Sequence, residues 1–214
     1  MTCCDQFVTV YGVSVIEGPA RLVREARDLA QILLAGLPQR WRHTIRVAQR
    51  AEDVSITLGT DHDADTLICA AWLHDIGYAS SVHATGFHPL DAANYLVAHD
   101  WPVELAGLVA HHSGADCIAA VRGFTGELSG FPDGPRPVAD ALAYADQTIG
   151  PDGRSMTLDQ RFTEMLQRHG PDSPNAAAHP RRERRLREAV RRVDARLARL
   201  GRPSYAVARA WVSG

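Results

Sequence analysis

The sequence Trp-Leu-His-Asp-Ile-Gly at residues 72–77 joins the apolar end of a helix to two side chains that can bind a metal ion. His74 continues an apolar stripe that begins at Leu67 and recurs at helical spacing, and Gly77 is a typical helix stop. Asp75 follows His74 directly. A carboxylate that faces a protein interior costs several kcal/mol unless it is paired or metal-bound. This stretch therefore predicts a buried polar site at the end of a helix.

Three more apolar stripes, on either side of this stretch, each carry one polar residue toward an interior. They are His43 with Val47, Ala51 and Val54, His112 with Leu105, Leu108 and Val109, and Asp146 with Ala139 and Leu142. A single inward histidine is more often a hydrogen-bonded core residue than a ligand. Several histidines and two aspartates that face one interior indicate a shared cation instead.

The rest of the chain has the same helical periodicity, and alternating strand patterns are almost absent. We predict an all-α fold, a single-domain helical bundle with an additional Arg-rich C-terminal helix. The predicted helices are 19–37, 38–58, 63–76, 89–98, 102–112, 115–122, 138–147, 157–168 and 181–200. Gly and Pro punctuate residues 123–137 and 168–180, which are predicted to be irregular.

This pattern divides the chain into three predicted parts. Residues 1–18 form an N-terminal extension whose β-branched stretch Phe7–Ile16 is compatible with a short strand. Residues 19–170 form the helical, metal-binding domain. Residues 171–214 form a linker and the Arg-rich helix, which we expect to pack on that domain through its apolar stripe.

Charge is segregated along the chain, although the net charge is only −2. All 23 basic residues are Arg, and the sequence contains no lysine, which excludes mechanisms that need a lysine Schiff base or a P-loop lysine. Residues 1–180 carry a net charge of −10 and residues 181–214 a net charge of +8. We therefore expect the basic helix to pair with the acidic domain, and we do not expect nucleic acid as a partner.

The sequence also predicts the cellular compartment of the protein. Its N-terminus has no basic region followed by a long apolar run, and no 18-residue apolar stretch occurs. The four cysteines form neither a disulfide framework nor a Cys-x-x-Cys zinc pattern, and Cys69 and Cys117 are predicted to be small core residues. We expect a cytoplasmic protein without a membrane segment.

Residues 38–150 resemble the HD-domain superfamily, which is named for its His…His-Asp…Asp metal site. The resemblance is carried by Arg42-His43, the string at 72–77, Gly86-Phe87-His88-Pro89, Ala110-His111-His112-Ser113 and Ala143-Tyr144-Ala145-Asp146. It implies an HD-domain-like bundle with one or two divalent metal ions. The implied ligands of the first ion are His43, His74, Asp75 and Asp146. Asp75 would bridge to the second ion, held by His88 and by one or both of His111 and His112.

The resemblance further implies a metal-dependent phosphohydrolase that acts on a nucleotide or another small phosphate ester through a metal-activated water. His74 and Asp75 are the catalytic candidates, and Asp75 would orient or deprotonate that water. Imidazole and carboxylate ligands suit Fe, Mn, Co, Ni or Zn. The expected partner is thus a small-molecule phosphate substrate.

The chain departs from the family pattern at two positions. Many members carry lysine directly after the His-Asp-Ile-Gly string, where this chain has Tyr78. We predict Arg46, Arg122 and Arg154 as the residues that bind substrate phosphate in its place. Ser113 stands where members that cleave cyclic dinucleotides have a Gly-Tyr-Pro signature, which argues against cyclic di-GMP as the substrate.

Two alternatives remain open on the sequence. The same ligand set resembles that of HD-fold di-iron oxygenases, which use O₂ to cleave C–C or C–P bonds. The domain is also compatible with a non-catalytic regulatory module in which the metal is structural and the basic helix is the contact surface. Substrate-dependent O₂ uptake would distinguish the first alternative, and an Asp75 variant without functional effect would distinguish the second.

Overall fold

The computed structural model describes residues 18–206, and over this range the chain forms helices and no strand. The ten α-helices are α1 (Gly18–Leu34), α2 (Pro38–Ser55), α3 (Asp61–Leu73), α4 (His88–Ala98), α5 (Val103–His111), α6 (Ala115–Arg122), α7 (Thr125–Leu128), α8 (Arg136–Gln147), α9 (Leu158–His169) and α10 (Pro174–Arg199). Short 3-10 turns follow α3 at Ile76–Tyr78 and α5 at His112–Gly114. The predicted all-α fold with an extra Arg-rich helix is confirmed. The strand suggested at 7–16 lies outside the described residues.

Local sequence sets where these helices begin. Pro38 occupies the first turn of α2, where its missing N–H is not needed. Thr60 caps α3 by accepting a hydrogen bond from the Asp63 amide at 3.0 Å. A reciprocal capping box between Thr157 and Gln160 starts α9. Each cap satisfies backbone amides that have no partner inside the helix.

The centre of the bundle is formed by α2, α3 and α8. Helix α2 packs on α3 and α8, α3 also packs on α1, and α4 pairs with α5. Leu67, Leu73 and Tyr144 are completely buried there, and each buried Leu contributes roughly 1.5–3 kcal/mol. Cys69 and Cys117 are buried and free, as predicted, and burial raises the pKa of the Cys69 thiol to about 12. Within residues 18–206 no helix has the length and hydropathy that a bilayer crossing requires.

Helix α10 lies against α8 and α6. The predicted apolar stripe of this helix consists of Leu186, Val190, Val193, Leu197 and Leu200, and its members are buried except for Leu200, which is 48% exposed. The helix begins at Pro174 and not at residue 181 as predicted. The prediction treated Pro180 as an interruption, but it lies in the second turn of a helix capped by Ser173, whose hydroxyl accepts from the Ala176 amide at 3.2 Å.

The arginines of α10 meet acidic residues of the helices around it. Arg192 donates from two nitrogens to the Asp140 carboxylate, both at 2.7 Å, and Arg187 donates to Asp159 at 2.5 Å. The Arg187–Asp159 pair is exposed and contributes about 0–1 kcal/mol, whereas Asp140 is buried beneath Arg192. Their main effect is to match the positive helix to the negative surface on which it packs.

Candidate metal centre

Six of the predicted ligands come together in the middle of the bundle, from five different helical segments. They are His43 of α2, His74 and Asp75 at the end of α3, His88 at the start of α4, His112 in the turn after α5, and Asp146 near the end of α8. Each lies at a helix end or on an apolar stripe, so the packing that buries the stripes also gathers these polar groups. They form two groups of three.

The first group consists of His43, His74 and Asp146, all buried. The Nε2 atom of His43 lies 3.1 Å from Asp146 Oδ1 and 3.4 Å from His74 Nε2. His74 Nε2 lies 4.0 Å from the same Asp146 oxygen. Three potential donor atoms therefore face one small volume.

The second group consists of Asp75, His88 and His112. His88 Nε2 lies 3.4 Å from His112 Nε2 and 3.5 Å from Asp75 Oδ1. The same Asp75 oxygen is 3.6 Å from His74 Nε2 in the first group. One carboxylate oxygen of Asp75 therefore lies near imidazoles of both groups.

The tautomers of three histidines follow from their hydrogen bonds. The Nδ1 atoms of His43, His74 and His112 each face a backbone carbonyl oxygen, of Gly150 at 2.9 Å, Ala71 at 2.8 Å and Val109 at 2.6 Å, respectively. A carbonyl oxygen only accepts, so each Nδ1 carries the proton and donates it. Each Nε2 then presents a lone pair to the cluster, which is the form in which histidine ligates a metal.

Asp146 is oriented by two donors on its far side. Its Oδ2 accepts from the Ser113 hydroxyl at 2.5 Å and from Gln147 Nε2 at 2.8 Å, which leaves Oδ1 for the imidazoles. Ser113 has a φ of 52°, a left-handed conformation that costs a non-glycine residue of order 1–3 kcal/mol. With this backbone conformation, the hydroxyl of Ser113, the residue that follows His112, reaches Asp146.

Electrostatics give four of the six side chains the charges that a cation needs. Burial lowers the pKa of His112 and lowers that of His88 well below its ordinary value, so both imidazoles are neutral at pH 7. Burial would raise the pKa of Asp75, but His74 and the Arg40 guanidinium, whose Nη1 donates to Asp75 Oδ2 at 3.1 Å, hold it below its usual range. Burial also opposes ionisation of Asp146, yet the neighbouring imidazoles of His43 and His74 and the Arg161 guanidinium hold its pKa well below its ordinary value.

This donor set fits divalent metal ions. Neutral imidazoles and ionised carboxylates bind such ions at about 2.0–2.2 Å, which places ligands of one ion within about 4 Å of each other. The spacings of 3.1–4.0 Å in the first group and 3.4–3.5 Å in the second agree with this requirement. Neither group contains a cysteine, which excludes a zinc site built from thiolates. Histidine and aspartate ligands suit Fe, Mn, Co, Ni or Zn.

Gly77 sets the distance between Asp75 and His88. A β-carbon at this position would lie 2.0 Å from the backbone oxygen of His88, so only glycine permits the 3-10 turn to approach α4 this closely. The turn at Ile76–Tyr78 and the start of α4 therefore lie close together where the second group forms.

We expect Gly77→Ala to separate the two halves of the second group. Relief of the clash must move the backbone of α4, at a cost of about 1–3 kcal/mol, and it should reduce the bound metal. Thermal unfolding and metal analysis measure both effects. Gly59→Ala is the matched control, because no atom lies within 4 Å of a β-carbon there. Unchanged melting and metal content in Gly77→Ala would refute this role.

His111 lies outside both groups. Its Nε2 donates to the backbone oxygen of Phe131 at 3.1 Å and lies 3.8 Å from Asp133 on the rim of the bundle. Of the two adjacent histidines that the sequence left open, the structure brings only His112 to the centre.

The three arginines predicted to bind phosphate lie away from the centre. Arg46 is on the exposed side of α2, where it donates to Gln49 at 2.6 Å, and Arg154 is bound to Asp152. Arg122 donates to the Gly86 carbonyl oxygen at 2.7 Å and supports the loop before His88. Neighbouring polar groups on the surface hold each of them, and none lines the cavity over the centre.

Other arginines line that cavity, which has a volume of about 60 Å³. They are Arg40, Arg161, Arg168 and Arg182. Tyr78, the residue in the place of the usual lysine, stacks on His88 with ring centroids 4.1 Å apart and lies under the Arg40 guanidinium at 3.9 Å. Tyr78 thus orients both the imidazole of His88, a potential metal ligand, and the guanidinium of Arg40. Sequence reasoning could have identified Arg40, because it lies three residues before His43 and therefore on the same face of α2.

A family model described as the HD domain matches residues 40–162, more than half of the chain, and the protein therefore belongs to the HD-domain family. No curated protein and no solved structure matches the chain. The matched range contains all six clustered residues. It ends within α9, before Arg168 and Arg182 of the cavity wall.

Proposed function

We propose that this protein is a metal-dependent phosphohydrolase that acts on a nucleotide or another small phosphate ester. The observation that carries the proposal is the arrangement of two ligand groups around one oxygen of Asp75, beneath a cavity lined by arginines. Membership of the HD-domain family, whose members are generally metal-dependent phosphohydrolases, supports the same reaction class.

The residues present would hold one ion with His43, His74, Asp75 and Asp146, and a second with Asp75, His88 and His112. When bound, such ions supply Lewis-acid stabilisation of phosphoryl oxygens and a nucleophilic water near neutral pH. The protein fixes the ligands beforehand. Carbonyl oxygens hold three imidazoles in one tautomer, Arg40 holds Asp75, and Ser113 with Gln147 holds Asp146. Little reorganisation is then needed when substrate enters.

The charge of the cavity supports an anionic substrate. Arg40, Arg161 and Arg182 are largely buried in its wall, and guanidinium groups bind phosphate oxygens through charge-assisted hydrogen bonds. The cavity volume of about 60 Å³ is several times the roughly 10–15 Å³ that one ordered water needs. It suits a phosphoryl group, with the rest of the ester extending through the mouth. This wall favours phosphate chemistry over the oxygenase alternative.

The experiment is metal analysis of protein purified without chelator, followed by assays with the native metal and with Mn, Fe, Co, Ni or Zn. The panel comprises nucleotides, other phosphate monoesters and matched diesters. We expect phosphate release that a chelator abolishes and the metal restores. Release from no member of the panel would contradict the proposal, and substrate-dependent O₂ uptake by iron-loaded protein would establish the oxygenase alternative in its place.

A further inference from the structure

Arg182 of α10 is a buried cation that forms no salt bridge with a carboxylate among the described residues. Its side chain lines the cavity over the metal centre and the residue is 7% exposed. Its Nε donates to the Ser113 carbonyl oxygen at 2.8 Å. Among residues 18–206 no carboxylate lies within 4.0 Å of its guanidinium, and no described residue accepts a hydrogen bond from its two terminal nitrogens.

The other guanidinium groups of this cavity are engaged differently. Arg40 donates to Asp75, and Arg161 and Arg168 both donate to Glu164, at 2.5 and 2.6 Å. Burial of a charge that has no ionic partner is unfavourable. Burial lowers the pKa of Arg182 only to about 10, so the group stays protonated at pH 7. A bound anion would compensate this charge.

The surroundings of Arg182 aim it at the place where substrate would meet the metal ions. Ser113, whose carbonyl it binds, follows His112 and donates its hydroxyl to Asp146, so the guanidinium lies beside residues of both ligand groups. The Arg182 stem packs on Gly114, where a β-carbon would lie 3.1 Å from Arg182 Cγ. With Nε and the stem fixed, the two terminal nitrogens are the part of the side chain left to bind a ligand.

We propose that Arg182 binds the terminal phosphoryl group of a phosphate monoester, in the role that a lysine after the His-Asp-Ile-Gly string has in many family members. This inference rests on the proposed function. The small cavity favours a monoester, because a terminal phosphoryl group enters with one substituent and a diester would bring two. The binding residue then comes from α10, beyond the part of the chain that matches the family.

The test is equilibrium binding of inorganic phosphate to the metal-loaded full-length protein, with the variants Arg182→Gln and Arg184→Gln. Arg184 is exposed on the same helix and is the matched control. We expect Arg182→Gln to weaken phosphate binding about tenfold or more and to raise KM for monoesters, while Arg184→Gln changes neither. Equal phosphate affinity in the Arg182 variant and the unaltered protein overturns the inference.

Because Arg182 also holds the Ser113 carbonyl, metal content and melting temperature are measured for every variant, and phosphate affinities are compared per metal-loaded protein. Arg182→Lys keeps the charge without the planar fork, and we expect its phosphate affinity to lie between those of the glutamine variant and the unaltered protein. A purely structural role would give the lysine and glutamine variants equal affinities, which contradicts the inference.

The two proposals fail in different ways. If phosphate binds and Arg182→Gln weakens it, but no ester is hydrolysed, the anion site stands and the hydrolase does not. If monoesters are hydrolysed and phosphate affinity ignores Arg182, the hydrolase stands and the anion site does not. Faster hydrolysis of a diester than of the matched monoester would contradict the assigned substrate class.

Discussion

Asp75→Asn is expected to abolish hydrolysis and to lower the number of bound metal ions. Asp75 Oδ1 lies 3.6 Å from His74 Nε2 and 3.5 Å from His88 Nε2, so this carboxylate lies near imidazoles of both ligand groups. An amide of the same shape removes the negative charge and leaves Arg40 without its ionic partner. We expect the rate to fall by at least about 10²–10³-fold, the loss that follows removal of one preorganised electrostatic group. Metal analysis and steady-state kinetics measure the two effects.

Asp140→Asn is the matched control for this variant. Asp140 is also a buried carboxylate with an arginine partner, Arg192, but it lies two turns before the metal centre on α8. Its substitution should lower the melting temperature while metal content and rate persist. Normal metal binding and turnover in Asp75→Asn would exclude this carboxylate as a ligand and as a catalytic group.

His112→Gln is expected to remove the second metal ion and to reduce hydrolysis by about 10²-fold or more, while His111→Gln leaves both nearly unchanged. The two histidines are neighbours in sequence, yet only His112 presents Nε2 to His88, at 3.4 Å. His111 turns its Nε2 to the Phe131 carbonyl oxygen instead. Because the variants carry the same substitution at adjacent positions, a difference between them reports the metal site and not the loss of a histidine.

The metal content per chain and the rate with saturating metal decide this comparison. His88→Gln should behave as His112→Gln does, since both side chains belong to the group around Asp75. A stronger loss in His111→Gln than in His112→Gln would reverse the assignment of the two histidines. Equal, small losses would indicate that one ion, held by the first group, suffices for the reaction.

Most of the fold follows from periodicity and punctuation in the sequence. The predicted helix 115–122 agrees with α6 at both ends, and the starts predicted at Pro38 and near Pro89 agree with α2 and α4 to within one residue. The discrepancies come from weak local signals. The short helix α7 lies inside the Gly-rich stretch that was predicted to be irregular, and α3 begins at Asp61, two residues before the predicted start, because Thr60 caps it.

The sequence likewise predicted one part of the candidate site and not the other. Six of the seven predicted ligands come together because each stands on an apolar stripe or beside a helix end, and burial of the stripes determines where they point. His111 falls outside, since its side chain follows a different direction from that of its neighbour at the end of α5. The identity of the cavity arginines depends on how α10 packs, and no spacing rule connects Arg182 with Asp146.

Because α10 lines the cavity, the clustered ligands and part of the cavity wall come from different parts of the chain. Residues 40–162 contain every clustered ligand, whereas part of the wall above them is contributed by residues 165–182. Under the proposed function, the residues that bind metal would lie in the first stretch, and part of the surface that contacts the substrate would lie in the second. We expect a chimera that joins residues 40–162 to the final helices of another family member to retain the metal content of the unaltered protein and to differ from it in the esters hydrolysed, as metal analysis and the substrate panel would measure.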